Sequence, residues 1–266
     1  MTSQFDPRAP NMARVYDYWQ GGKDHFRADR AEAERLLQIY PPLAAMVREN
    51  RAFLTRAVAW AASQGIGQFL DLGSGLPAAV NTHQAARTAS PAARVAYVDL
   101  DPMVLAHARA LMATGDGVAA VAADLTDPAA VLAHPELRAV IDPAAPVAVI
   151  LGAVLHFVDA PTARQVTSGY RQLVAAGSCL IVSVARYDDE MLAKQLAAQY
   201  TAGQFVNHPL ADITSFFTGW DLTGPGVAEA QTWREWMPRP VPVRRVGHVL
   251  AGVARRDSGP ASPAAL

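Results

Sequence analysis

The clearest fold signal in this chain is the stretch Gln68-Phe-Leu-Asp-Leu-Gly-Ser-Gly-Leu-Pro77. Residues 69–72 predict a short buried strand, and Gly73-Ser74-Gly75 ends that strand with a tight turn. Glycines at the carboxyl end of a strand let backbone N–H groups approach a ligand closely. Pro77 predicts the start of a helix, because its ring needs no N–H and already has a helical φ. The stretch therefore predicts a nucleotide-binding turn between a strand and a helix.

The acidic residue in this stretch favours a cationic ligand. Asp71 lies two residues before Gly73, near the end of the predicted strand. A carboxylate at that position is poorly suited to face a pyrophosphate and well suited to receive a cation. This asymmetry favours the sulfonium nucleotide S-adenosylmethionine over a dinucleotide, although a Gly-x-Gly turn alone is weak evidence.

Composition limits the classes of protein to consider. With 266 residues, one domain with an extra segment is expected, and the net charge of −1 argues against a general attraction to nucleic acid or anionic lipid. The longest apolar run, 147–158, is too short to span a bilayer, and residues 1–10 lack the apolar core of a secretory signal. Cys179, which is the single cysteine, is expected in the core. We therefore expect a cytoplasmic protein without a nucleic-acid or membrane partner.

After Gly65, short apolar runs alternate with helical stretches. Strands are predicted at 69–72, 95–98, 118–122, 147–151 and 180–184, and helices at 77–88, 102–113, 127–134, 160–175 and 188–202. Such alternation requires crossover connections, so it predicts an α/β fold with a doubly wound, Rossmann-like, mostly parallel sheet. Two later strands are expected near 222–227 and 247–254, on either side of the Pro-rich stretch 236–242.

The residues before Gly65 are predicted to be helical, at 11–20, 29–37 and 43–62. The resulting division is an N-terminal helical cover or lid at 1–64, a core at 65–256 that binds S-adenosylmethionine, and a flexible tail at 257–266. We expect Gly21-Gly22 to act as a hinge for the lid. Arg14 and Tyr18 lie four residues apart on one helical face and could reach the carboxylate of the cofactor and the acceptor. The alternative is an amphipathic helix that only packs on the core.

Carboxylates follow two further predicted strands. Asp99 falls 26 residues after Gly73 and could accept hydrogen bonds from both ribose hydroxyls of an adenosine, whereas Asp101 is expected mainly to cap the next helix. Asp124 follows the third strand, where it could accept the adenine amine, with the N–H of Leu125 reaching a ring nitrogen. Each residue alone could be a helix or turn cap. Acidic residues at the ends of three successive strands favour a nucleoside site.

The fourth strand runs out as Leu151-Gly-Ala-Val-Leu-His-Phe157. Small residues at Gly152 and Ala153 would leave room where a reactive methyl group meets its acceptor. His156 could be a general base or could orient the acceptor, because the ordinary pKa of histidine lies near neutrality. A structural role for His156 is the alternative.

Several longer motifs show a family resemblance. They are Ala13-Arg-Val-Tyr-Asp-Tyr-Trp-Gln-Gly-Gly-Lys-Asp24, Asn50-Arg-Ala-Phe-Leu54, Phe69-Leu-Asp-Leu-Gly-Ser-Gly-Leu-Pro77, Tyr97-Val-Asp-Leu-Asp-Pro102, Ala123-Asp124 and Val154-Leu-His-Phe157. Over roughly residues 8–255 the chain resembles the class I S-adenosylmethionine-dependent methyltransferases. More narrowly, it resembles an actinobacterial S-adenosyl methyltransferase family long catalogued as a domain of unknown function. Trp19-Gln20 stands where an aliphatic pair is more usual.

The resemblance implies a seven-stranded sheet with an antiparallel last strand, and S-adenosylmethionine as the cofactor, which would leave as S-adenosylhomocysteine. The residues it carries over are Asp71, Gly73, Gly75, Asp99 and Asp124. Together with the residue-level arguments, the expected cofactor set is Asp71, Gly73, Ser74, Gly75, Asp99, Leu100, Asp124, Leu125, Gly152, Ala153, Arg14 and Tyr18. His156 is the catalytic candidate, and no metal site is expected.

The expected function is methyl transfer to a small-molecule acceptor, with neither acceptor nor oligomeric state defined. Methyl transfer from a sulfonium mainly requires alignment and exclusion of water, so it needs no catalytic triad. Two alternatives stay open at this point. Gly73-x-Gly75-x-x-Ala78 and Asp99 would also suit a nicotinamide-dependent oxidoreductase, although no Tyr-x-x-x-Lys pair is found. The second alternative is a protein that binds S-adenosylmethionine without transferring the methyl group.

Overall fold

Three helices precede the first strand. In the computed structural model, which describes residues 5–113, 115–234 and 246–257, they are α1 (Met12–Gln20), α2 (Arg27–Ile39) and α3 (Leu43–Ser63). The side chain of Asn11 caps α1 by accepting the N–H groups of Ala13 and Arg14. Gly21, in the left-handed conformation, ends α1 (φ 80°).

The sheet has the expected parallel centre. Its strands are β1 (Gln68–Leu72), β2 (Arg94–Asp99), β3 (Val118–Ala122), β4 (Ala148–Gly152), β5 (Cys179–Tyr187), β6 (Asp221–Leu222), β7 (Ala228–Glu229) and β8 (Gly247–Arg255). The order is β3-β2-β1-β4-β5-β8-β6, and β7 also pairs with β8. Strands β1 to β5 are parallel to one another, and β8 runs antiparallel to β5. The predicted α/β class is confirmed.

The strand count differs slightly from the expected seven, because the described residues form eight. The predicted strand at 222–227 is divided into β6 and β7, which pair separately with β8. Pro225, between them, has no N–H to donate to a strand ladder. The Pro-rich stretch 236–242 and residues 258–266 of the predicted tail lie outside the described residues.

Helices cover both faces of the sheet. They are α4 (Thr82–Arg87), α5 (Pro102–His107), α6 (Pro128–Ala133), α7 (Pro135–Arg138), α8 (Ala160–Leu173), α9 (Glu190–Gln199) and α10 (Leu210–Ser215); α5 continues as a π-helical turn, Ala108–Met112. One apolar core joins the sheet to α2–α5 and α9, and the other joins it to α6–α8 and α10. Cys179 is fully buried and unpaired, as predicted.

The helix after the glycine turn starts later than predicted. Pro77 does not open it; α4 begins at Thr82. Asn81 accepts the N–H of Ala78 (2.9 Å), and its own N–H donates to the side chain of Gln84 (2.8 Å). The hydrogen bond between Asn81 and Gln84 caps the first turn of α4, so the helix begins at Thr82 and residues 73–81 form a loop.

Candidate functional site

A cavity of about 500 Å³ lies at the carboxyl ends of β1 to β5. Ligands of doubly wound sheets bind at this edge, where the strand order reverses beside the first strand. Residues that follow β1, β2 and β3 line one end, residues that follow β4 together with β5 line the other, and α1, α2 and α3 form the opposite wall. The tertiary structure therefore joins the N-terminal helices and the sheet in one site.

The glycine turn is tied to the end of β2. The N–H groups of Gly73 and Ser74 donate to the carbonyl oxygen of Val98 (2.8 and 3.2 Å), and that of Gly75 donates to Oδ2 of Asp99 (3.1 Å). Both glycines have positive φ, 65° and 66°. A Cβ on Gly73 would lie 2.6 Å from Cγ1 of Val154, whereas a Cβ on Gly75 would meet no atom within 4 Å. The two glycines therefore have different tasks: the first allows packing, and the second leaves open space in the cavity.

Asp99 lines the cavity, as predicted. Its Oδ1 accepts the N–H of Asp101 (3.0 Å), and its Oδ2 accepts that of Gly75. Each carboxylate oxygen retains a second acceptor position. Burial raises the pKa of Asp99, while these backbone hydrogen bonds oppose the rise. The arrangement holds an acceptor-rich group at the cavity wall.

Asp101 caps α5, as predicted, and also contacts the N-terminal region. Its Oδ1 accepts the N–H groups of Met103 and Val104, and its Oδ2 accepts Nδ2 of Asn11 (2.6 Å). Asn11 simultaneously caps α1. One amide thus connects the start of α1 to the strand end that carries Asp99.

Asp124, Leu125 and Leu100 also line this end of the cavity. Asp124 is exposed, and its Oδ1 accepts the N–H and the hydroxyl of Thr126 (2.9 and 2.7 Å). The carbonyl of Leu125 accepts the hydroxyl of Tyr170 (3.2 Å). The Leu125 N–H makes no hydrogen bond among the described residues. The predicted nucleoside residues are therefore brought together.

Asp71 is the exception in this group, because it does not line the cavity. Successive side chains of a strand point to opposite faces, and that of Asp71 accepts the hydroxyl of Thr82 at the start of α4 (2.6 Å). Burial, opposed by this hydrogen bond and by the charge of Arg51, raises its pKa to about 6. Its position corrects the expectation of a cation-receiving carboxylate at the cavity.

Arg14 and Tyr18 also lie outside the cavity lining. Arg14 is buried and donates to Asp29 (2.8 Å), and the hydroxyl of Tyr18 donates to the exposed Glu34 (3.0 Å). Both partners belong to α2. The two side chains share a helical face, as predicted, but that face points to α2. This placement corrects the expectation that they reach the cavity.

Three polar residues of the N-terminal helices line the cavity in their place. Nδ2 of Asn50 donates to the hydroxyl of Tyr16 (2.8 Å), and the guanidinium of Arg51 donates to the carbonyl of Val80 (3.1 Å). Asn50 is buried, and its Oδ1 has no hydrogen-bond partner among the described residues. These residues were not predicted as part of the site, although Asn50, a polar residue within the apolar face of α3, was a usable signal.

The segment after β4 forms the other end of the cavity. Gly152, Ala153 and His156 all line it, as predicted. Ala153 adopts a positive φ of 57°, which is uncommon for a residue with a Cβ and typical of functional sites. Nδ1 of His156 accepts the N–H of Ala185 (3.3 Å). Burial, together with the neighbouring His208, lowers the pKa of His156 to about 3.

The described part of the chain holds no cluster of His, Cys, Asp or Glu side chains that could bind a metal ion. None of the helices described combines the length and the apolar character needed to cross a membrane.

Comparisons with known proteins agree with this geometry. A sequence profile of the family described as S-adenosyl methyltransferase matches residues 1–257. A candidate methyltransferase from Thermobifida fusca YX has a structure similar to this one, with 38% identity, a TM-score of 0.87 and coverage of 94% of this chain and 96% of its own. A DUF574 family protein from Streptomyces avermitilis MA-4680 is 33% identical, with a TM-score of 0.87 and coverage of 95% and 100%.

More distant structures share the fold alone. Magnesium protoporphyrin IX methyltransferase from Synechocystis PCC 6803, solved with bound S-adenosylhomocysteine, is 14% identical, with a TM-score of 0.53 and coverage of 91% of this chain and 93% of its own. No curated protein matches the chain significantly. Because the family profile covers nearly the whole sequence, the resemblance noted above is confirmed. The chain belongs to the S-adenosyl methyltransferase family and is an S-adenosylmethionine-dependent methyltransferase with the class I fold.

Proposed function

We propose that this enzyme transfers the methyl group of S-adenosylmethionine to a small-molecule acceptor held inside the cavity. The observation that carries this proposal is the position of the Gly73–Gly75 turn. Its last N–H is hydrogen-bonded to Asp99, and it lies in the wall of the same cavity that continues to the ends of β4 and β5. One cavity thus adjoins both a nucleotide-type turn and a second, mostly apolar region.

The residues around the turn fit an adenosine. Oγ of Ser74 is buried without a partner among the described residues, and the space at Gly75 is open. We assign Asp99 to the ribose hydroxyls, and Asp124 and Leu125 to the adenine edge. S-adenosylmethionine supplies a methyl group on a positively charged sulfur, so its leaving group is already activated. Gly152 and Ala153 line the cavity wall at the end of β4, and the place of a Cβ on Gly152 is taken by Leu54, whose Cδ1 would lie 2.8 Å from it.

The methionine end of the cofactor requires partners for a carboxylate and an ammonium group. Among the described residues, Arg51 is the only Lys or Arg side chain that lines the cavity. We assign Arg51 to the carboxylate, because a guanidinium matches its geometry. The unpaired Oδ1 of Asn50 is suited to accept from the ammonium group. These two residues replace Arg14 and Tyr18 in that role.

A small acceptor suits the volume of the cavity. Helices α1 to α3 cover the sheet edge, and a volume of about 500 Å³ is in the range of small-molecule sites. The family assignment favours methyl transfer over the nicotinamide alternative and over a non-catalytic binder. Calorimetric titration with S-adenosylhomocysteine and with NAD⁺ tests this assignment. Binding of S-adenosylhomocysteine alone is expected; binding of NAD⁺ alone would contradict it.

Replacing Asp99 with alanine is expected to weaken the binding of S-adenosylmethionine by about 1.5–3 kcal/mol, the scale of hydrogen bonds to a charged group. Calorimetric dissociation constants measure the effect. The matched control is Asp127→Ala, which removes a carboxylate that caps α6 outside the cavity. The control should lose about as much stability as Asp99→Ala, and it should keep the wild-type affinity for S-adenosylmethionine. An unchanged dissociation constant for folded Asp99→Ala would refute the ribose assignment.

The N-terminal segment is expected to respond to the cofactor. Helix α1 contributes Tyr16, Trp19 and Gln20 to the cavity wall, so closure over a ligand would protect its backbone. Hydrogen exchange of residues 11–26 should slow when S-adenosylhomocysteine is added, and deletion of residues 1–26 should weaken binding while the core stays folded. The segment is only structural packing if its exchange is independent of ligand and the truncated protein binds normally.

The predicted glycine hinge needs one refinement. Gly21 ends α1, and a Cβ on Gly22 would lie 1.9 Å from Oδ1 of the buried Asp17. This turn is packed, and Arg14 ties α1 to α2. If the cover moves, we therefore expect α1 and α2 to move together.

A further inference from the structure

The end of the cavity formed after β4 and by β5 differs chemically from the nucleoside end. No Lys, Arg, Asp or Glu side chain occurs among the described residues that line it. We call this part of the cavity the acceptor end; the residues that matter for its chemistry are His156, Phe157, Ala185, Tyr187, Tyr200 and Phe205. A charged acceptor gains no ion-pair partner there, so its desolvation must be offset by a hydrogen-bond donor and by apolar contacts.

Aromatic rings dominate the acceptor end. The ring centroid of His156 lies 4.4 Å from that of Phe157 and 5.5 Å from that of Phe205. Phe205 also contacts Tyr187 (5.7 Å), and Phe157 lies nearly parallel to Tyr200 (6.1 Å, 8°). Connected ring faces and edges of this kind favour a planar aromatic guest through stacked and edge-to-face contacts.

His156 is the polar group best placed to act on such a guest. Because its Nδ1 accepts the N–H of Ala185, the ring proton lies on Nε2. Nε2 makes no hydrogen bond to any described residue. The low pKa of about 3 agrees with a neutral ring that does not take up a proton. His156 is therefore a hydrogen-bond donor to the acceptor end and not a general base.

A donor at this point selects among acceptor atoms. An amine or a ring nitrogen has one lone pair, and a nitrogen that accepts the Nε2–H has none left to attack a methyl group. An ionised oxygen can accept this hydrogen bond and still attack with another lone pair. Since no basic side chain lies at the acceptor end in the described part of the chain, the hydroxyl must lose its proton before transfer.

We propose, on the basis of the methyl-transfer function above, that the acceptor is an aromatic compound with an acidic hydroxyl group. It binds as the phenolate, with its oxygen on Nε2–H of His156. In the reaction an oxygen–carbon bond forms while the sulfur–carbon bond breaks, and the electron pair of the broken bond stays on sulfur. The products are an aryl methyl ether and S-adenosylhomocysteine, and the hydroxyl proton has already passed to solvent.

Three probes test this proposal on protein saturated with S-adenosylhomocysteine. They are 4-nitrophenol, which ionises near neutral pH, 4-methylphenol, which stays protonated, and quinoline, which offers a ring nitrogen. We expect 4-nitrophenol to bind at least about tenfold more tightly than the others, because only its anion accepts a charge-assisted hydrogen bond. Its visible absorbance should show ionisation at lower pH when bound. With S-adenosylmethionine, 4-nitroanisole should form, and its rate of formation should decrease when the pH is lowered, because the free probe then becomes protonated.

Variants of His156 separate donation from packing. His156→Phe should lower the affinity for 4-nitrophenolate about 10- to 100-fold while the affinity for S-adenosylhomocysteine stays near wild type. His156→Gln should restore most of it, because an amide can accept from Ala185 and donate with its nitrogen. His134→Gln is the matched control, since that histidine caps α7 outside the cavity.

Several results would overturn the proposal. They are equal binding of 4-methylphenol or quinoline, binding of 4-nitrophenol as the neutral phenol, no binding of it to the loaded protein, and unchanged affinity in both His156 variants. Failure of the wild-type protein to bind S-adenosylhomocysteine would instead contradict the proposed function. The two hypotheses can therefore fail separately.

Discussion

Replacing Asp29 with alanine is expected to lower the free energy of unfolding by about 3–5 kcal/mol, the cost of breaking a buried ion pair by removing one partner. Asp29 is fully buried, and Oδ2 accepts Nε of Arg14 and the N–H of Phe26 while Oδ1 accepts the N–H of Asn11. Its removal leaves a buried guanidinium without a counter-ion and two backbone donors without partners. Urea denaturation measures the loss.

The surroundings of Arg14 make this loss specific to the pair. Its Nη2 donates to the carbonyl of Ala9 (2.6 Å), and its guanidinium lies over the rings of Phe5 and Phe26. Glu34→Ala is the matched control on the same helix, because that exposed carboxylate accepts only from Tyr18 among the described residues. The control should cost less than about 1 kcal/mol, as surface pairs do. An equally small loss for Asp29→Ala would show that the pair does not anchor α1 to α2.

A second consequence follows for the site. The backbone N–H of Asn11 donates to Asp29, and its side-chain amide donates to Asp101. We therefore expect Asp29→Ala to increase hydrogen exchange in residues 11–26 as well. If the N-terminal helices detach before the core unfolds, the denaturation curve should show two transitions rather than one.

Replacing Gly75 with valine should abolish detectable binding of S-adenosylmethionine. The backbone at Gly75 has a φ of 66°, which a β-branched residue adopts only with strain, and its side chain would stand in open space at the cavity wall. The protein has room for the new atoms, so circular dichroism should stay native-like. Calorimetry should then detect no binding at concentrations that saturate the wild type.

The matched control separates strain from obstruction of the site. Gly65 has a φ of 89°, and a Cβ there also meets no atom within 4 Å, but Gly65 does not line the cavity. Gly65→Val should lose a comparable amount of stability and bind the cofactor normally. Binding by Gly75→Val at wild-type affinity would mean that the turn does not adjoin the cofactor. Gly73→Ala is a poorer test, because Val154 would have to move in the absence of any ligand.

Much of the site could be predicted because it depends on motifs of a few neighbouring residues and on the order of strands along the chain. The glycine turn and Asp99 follow apolar runs, and parallel strands bring their carboxyl ends to one edge of the sheet. Order along the chain was therefore enough to predict that Asp99, Asp124 and His156 line one site. The alternation of strands and helices likewise predicted the parallel sheet, since crossover connections leave few topologies.

The fold class, the family and the sheet edge that holds the site could all be predicted from the sequence. The reason is that the spacing of apolar residues, turn chemistry and crossover rules depend on residues close together in the chain. The tertiary structure alone decided which partner each polar group takes. Arg14 pairs with Asp29 of α2, Asp71 turns to Thr82, and Nδ1 of His156 accepts from Ala185 on β5. Each choice depends on burial and on which donors and acceptors packing brings within about 3 Å of one another, and the spacing along the chain does not contain that information.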